Sequence, residues 1–158
     1  MNKIPLVSFV DAITMVARDA DFHRPGRSYW QCSDFSRAVV ALASELGFDD
    51  AELWSTKMEY SRGVGEHSKG DRENHVYFKL GGKWYDYTAR QFGRVRKGRL
   101  MSRFPVVMNT AYPDSKKVYF ASLLDAGSKF WHEKIKSRLK FKNKVMAKYR
   151  IKADYKKP

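Results

Sequence analysis

Cys32 is the only thiol in the chain, and two further residues, His75 and Asp86, are of the types that activate a thiol: a general base and a carboxylate to orient it. A cysteine becomes a useful nucleophile when its thiolate is stabilised, and a helix N-terminus does this through its unpaired N–H groups and its dipole. Phe35, Ala38, Val39, Leu42 and Leu46 share one helical face and Gly47 supplies a stop, which predicts a helix from Ser33 to Leu46. Cys32 stands at its start, where backbone N–H groups, that of Cys32 first, are placed to hold an oxyanion. Taken alone, a lone cysteine is more often plain core. Its partners therefore carry the argument.

The partners are tied together by a turn. His75 to Leu80 and Lys83 to Thr88 are aromatic and β-branched runs separated by Gly81-Gly82, which predicts a hairpin with a two-residue turn of type I′ or II′. Such a turn pairs Leu80 with Lys83 and sets His75 opposite Thr88 and Tyr77 opposite Asp86. Alternation then puts His75, Tyr77, Trp84, Asp86 and Thr88 on one face and Val76, Phe78, Leu80, Tyr85 and Tyr87 on the other. His75 and Asp86 become diagonal neighbours, close enough for an imidazole–carboxylate hydrogen bond.

Gln31-Cys32-Ser33-Asp34-Phe35 followed by an apolar helix resembles the nucleophile segment of papain-like enzymes, including the NlpC-type cell-wall peptidases, although those have glycine where Asp34 stands. The run from His75 through Gly81-Gly82 to Asp86 and Thr88 resembles the histidine strand, glycine turn and aspartate strand of transglutaminase-like cysteine peptidases. The resemblance spans about Ser28 to Phe92. It implies an α+β fold with N-terminal helices packed on a small antiparallel sheet, and the roles of nucleophile, base and orienting acid for Cys32, His75 and Asp86. The implied chemistry is attack on an amide carbonyl, with a thioester resolved by water or by an amine and no cofactor. Gln31 and Trp30 beside the cysteine, and Tyr77 and Trp84 on the hairpin, are the candidates for an oxyanion hole and substrate cleft; for the aromatic residues, packing is the competing role.

Other histidines offer less. His67 is the rival base, but it lies in a Gly-rich charged stretch between Glu59 and Asp71 that reads as a loop, and His23 and His132 have no partner spacing. One cysteine and no His-x-x-x-His pair argue against a metal site.

The elements that must position the site are few. Phe9, Ile13, Val16 and Ala17 predict a first helix from Ser8 to Ala20 with Ser8 as its cap, and Glu52 to Thr56 reads as a strand. With 158 residues, one domain is the default, divided here into a catalytic domain at 1–126 and a basic helical extension at 127–158. That extension carries 12 Lys or Arg against Glu133 and Asp154, interleaved with Phe130, Trp131, Ile135, Leu139, Val145, Met146 and Tyr149, as one or two amphipathic helices. It contributes to a formal charge of +14, which suits a polyanion or an acidic surface as neighbour. The partners this suggests are a protein or peptide substrate and nonspecific contact of the extension with nucleic acid or an anionic membrane. A non-catalytic basic binding protein on the same scaffold is the competing function. The unpaired thiol, and the lack of any leader or apolar run of spanning length, lead one to expect a soluble protein of the cytoplasm, its own or a host's.

Overall fold

A computed structural model describes residues 4–24, 31–60, 63, 66–92 and 104–155, with side chains up to residue 140. Trp30, Val145, Met146 and Tyr149 thus lie outside the described residues or side chains. The fold is a mixed α+β arrangement of three helices and one antiparallel sheet.

The first helix, α1, spans Leu6–Asp19 and buries Phe9, Ala12, Ile13, Val16 and Ala17. It begins before the expected Ser8 cap. Pro5, with φ −57° and ψ 143°, stands at the N-cap, and its carbonyl accepts the Ser8 and Phe9 N–H groups, so no side-chain cap is used. The second, α2, spans Cys32–Glu45, one residue earlier at each end than the apolar pattern suggests. Gly47, at φ 88°, ends it: Phe48 N–H reaches the Ala43 carbonyl and Gly47 N–H that of Ser44, the paired bonds of a Schellman stop.

Five strands follow the order β4-β3-β2-β1-β5, with β1 at Glu52–Glu59, β2 at Arg72–Leu80, β3 at Lys83–Asp86, β4 at Val106–Met108 and β5 at Lys116–Val118. β2, the strand that carries His75, is therefore central. The hairpin has the expected register, Leu80 with Lys83 and Phe78 with Tyr85, and φ values of 60° and 79° at Gly81 and Gly82 make its turn type I′. β1 runs three residues past the expected strand, and β4 and β5 are short edge strands that the sequence reading did not anticipate.

One face of the sheet, with Leu53, Phe78, Leu80 and Tyr85, packs against α1 and α2. The opposite face carries Tyr77 and Met58 beneath Phe92 and Tyr112, with Trp54 and Trp84 at its side. The basic C-terminal segment is one helix, α3, at Ala126–Tyr155. Asp125 and Ser128 cap it reciprocally, Ser128 N–H to Asp125 Oδ1 at 3.0 Å and Asp125 N–H to Ser128 Oγ at 2.7 Å. Arg37 of α2 binds the same Asp125 at 2.8 Å, and Trp131, Ile135 and Leu139 on one stripe of α3 enter the main core beside Phe22 and Phe35. The first turns of this segment thus pack as part of the core that holds α2 in place. Among the described residues no helix is long and apolar enough to cross a membrane.

Candidate active site

Cys32 is the first residue of α2 and is partly exposed, with Gln31 at the N-cap. α2 is fixed over β2 by its apolar face and by Ser36, whose Oγ donates to the Val76 carbonyl at 3.3 Å. The thiol thereby meets the His75 side chain, the Val76 backbone and the Gln91 side chain. Burial pushes the thiol pKa up, but the hydrogen bond and positive charge of His75, with bonds from Val76 and Gln91, outweigh it. The net position is below the ordinary thiol value.

His75 is fully buried. Its Nε2–H donates to Asp86 Oδ2 at 2.7 Å, and Phe92 packs edge-on against the ring at 4.9 Å between centroids. Burial by itself would lower the pKa of the imidazolium; the charge and hydrogen bond of Asp86, then those of Cys32, reverse this and raise it to about 10. Asp86, 1% exposed, is likewise opposed by burial, and His75, Tyr112 and Thr88 bring its pKa below the usual carboxylate range. Its Oδ2 also accepts Tyr112 O–H at 2.7 Å, and its Oδ1 accepts Thr88 N–H at 3.0 Å. A buried carboxylate with so many donors is held both charged and oriented.

The expected His75–Thr88 pairing is not formed, because the β2–β3 ladder stops short of it and the chain turns at Thr88 into a short 3-10 segment, Ala89–Phe92. That turn brings in Gln91, 3% exposed, with its Nε2 2.9 Å from His75 Nδ1. With the ring neutral and its proton on Nε2, the amide donates to Nδ1. With the ring charged, Nδ1 is a donor as well, and the Cys32 thiolate is the acceptor within reach of both it and the amide.

The structure brings Cys32, His75 and Asp86 together; it places the cleft candidates differently. Gln31 accepts the Trp131 Nε1–H at 3.1 Å through its side-chain oxygen, which ties the carboxamide to α3. Tyr77 is fully buried, its hydroxyl bonded to Ser115 at 2.6 Å and to the Tyr112 N–H at 3.1 Å, so it is packing and lines no cleft. Trp84 packs edge-on against Trp54 with Lys79 over its ring, which makes it part of a surface cluster. His67 stacks on Tyr60 and lies near Asp71 and Glu73. Gln91 and Tyr112 are the site residues that sequence reasoning missed. Among the described residues no group of three or more His, Cys, Asp or Glu could hold a metal ion.

No family model, no curated protein and no solved structure matches the chain.

Proposed function

We propose that the protein is a cysteine-dependent hydrolase or acyltransferase acting on amide bonds, with a papain-like or transglutaminase-like arrangement of site and fold. The observation that carries this reading is the buried His75–Asp86 pair at 2.7 Å, set against a thiol at the first residue of a helix whose pKa is lowered. A structural cysteine has no need of a charged histidine held in place by a buried carboxylate; a nucleophile does.

In the reaction, the Cys32 thiolate attacks an amide carbonyl while His75 holds the proton taken from the thiol. The tetrahedral oxyanion faces the Cys32 backbone N–H at the helix N-terminus. His75 then gives its proton to the departing amine, and a thioester remains on Cys32. Water resolves the thioester in proteolysis or glutamine deamidation; a second amine resolves it in transglutamination. Asp86 stays ionised throughout, supported by Tyr112 and Thr88. The test is labelling with a thiol-reactive amide probe and turnover of peptide amides, comparing the wild type with Cys32→Ser and His75→Ala. Each variant is expected to lose turnover by at least about a hundredfold, and unchanged activity in both sinks the proposal.

A second reading, contact with an anionic surface through α3, is favoured by Lys129, Lys134, Lys136 and Lys140, which are all exposed along that helix. Salt-dependent retention on anionic vesicles or DNA that is lost when these lysines become glutamine supports it, and retention that survives the change excludes it.

A further inference from the structure

The helix-bearing face of the sheet is apolar only as far as α2 covers it. On that face Leu53 pairs with Phe78 and, one rung on, Ser55 with Val76. Cys32 and Ser36 reach the Val76 backbone of this second rung, on the side where β3 has ended. Past it, the same face continues with Lys57 opposite Asn74 and then Glu59 opposite Arg72, while β5 sets Lys116 opposite Ser55. Each step of two residues along a strand is about 7 Å. The polar, cationic part of the face thus begins one rung past Val76, whose backbone the nucleophile touches.

Lys57, Arg72 and Lys116 line a pocket there of about 390 Å³, with Asn74 and a single carboxylate, Asp114. All three cations are exposed, and among the described residues neither Asp114 nor Glu59 forms an ion pair with them. The neighbouring backbone bears on what could bind. β5 pairs only with Leu53, Trp54 and Ser55, so Lys57 to Glu59 have no strand partner on the outer edge of β1 among the described residues. An extended chain can add to such an edge through main-chain hydrogen bonds, which favours a polypeptide over a nucleic acid.

We infer that this pocket is the subsite for an acidic polypeptide segment flanking the amide that Cys32 attacks. The inference rests on the reading of Cys32 as nucleophile and adds the substrate class. Unneutralised cations beside a reactive group concentrate anions at it and speed their encounter.

Two alkylating peptides test this, N-iodoacetyl-tetraglutamate amide and N-iodoacetyl-tetraglycine amide, with the rate of Cys32 modification read by mass spectrometry at low salt. The acidic probe is expected to react with the wild type about tenfold faster than the neutral one. The advantage disappears in a Lys57→Gln, Arg72→Gln, Lys116→Gln variant. It persists in a Lys129→Gln, Lys134→Gln, Lys136→Gln variant, which removes the same charge from α3. The neutral probe reacts equally with all three proteins. An advantage that survives in the pocket variant, or falls equally in the α3 variant, overturns the inference. So does one that excess oligothymidylate removes and tetraglutamate does not, which marks a nucleic-acid surface. Separately, a neutral-probe rate that follows an ordinary thiol's pH profile refutes the nucleophile reading on which the inference stands.

Discussion

Replacing Asp86 by asparagine keeps the shape of the side chain and removes its charge. In the wild type that charge is the largest influence raising the His75 pKa to about 10 against burial. Without it only Cys32 opposes burial, and the His75 pKa falls. Removing one partner of a buried pair costs about 3–5 kcal/mol, and both partners here are at most 1% exposed. Urea unfolding at pH 7, followed by tryptophan fluorescence, is expected to show a loss of that size. Its pH dependence carries the sign: a raised folded pKa gives stability that is complete below about 6.5 and is lost as pH rises through about 10. His75 contributes a downward slope of up to about 1.4 kcal/mol per pH unit in that window. The lowered Cys32 thiol contributes the opposite slope up to its unfolded value of about 8.5, and the net fall therefore runs from about 8.5 to about 10 and is missing from the variant. The wild-type advantage therefore narrows towards pH 10. A variant within about 0.5 kcal/mol of the wild type at pH 7, or a gap that widens between about pH 8.5 and 10, refutes the buried ion pair.

Tyr112→Phe removes one donor to Asp86 and is expected to cost about 1.5–3 kcal/mol in the same unfolding assay, with a smaller loss of turnover than Asp86→Asn. Gln91→Ala takes away the amide shared by His75 Nδ1 and the Cys32 thiol; spectrophotometric titration of the thiolate should show the thiol pKa rising, and urea unfolding a loss of about 1–3 kcal/mol from the buried nitrogen left unpaired. Gly81→Ala puts a Cβ at φ 60° and against Leu6, and loses about 1–2 kcal/mol by thermal melting. Phe35→Ala opens the core where Phe22, Tyr87 and Trp131 meet and costs about 3–5 kcal/mol.

The parts of the molecule legible in the sequence are those written in local periodicity. The heptad-like spacing in α2 and the Gly81-Gly82 pair determine the start of a helix and the register of a hairpin, which sets His75 beside Asp86. That Cys32 joins them is implied by the family resemblance, and the packing of α2 on β2 brings it there. The residues that were missed reach the site through chain segments with no periodic signal. Tyr112 arrives from an irregular stretch 26 residues after Asp86, and Gln91 from a single 3-10 turn in a run that reads as basic loop. Thr88 is intermediate: an aspartate two residues before it is a familiar turn signal, and Asp86 Oδ1 does accept its N–H. The misplaced cleft residues have a different cause. Alternation gives the face on which Tyr77 lies but not what covers that face, and Tyr112 with Ser115 covers it completely. In the basic C-terminus, Trp131, Ile135 and Leu139 are legible as the apolar side of an amphipathic helix, but periodicity does not say what such a side packs on, and here it seats α3 in the main core.

The rate of Cys32 alkylation by iodoacetamide, measured from pH 4 to 10 in the wild type and in His75→Ala, tests the central claim most directly. Activation by His75 predicts a half-maximal rate well below the free-thiol value of about 8.5 in the wild type, moving up to or above that value in the variant. A wild-type curve centred at about 8.5 and unchanged by the substitution, or labelling seen only on unfolding, contradicts it.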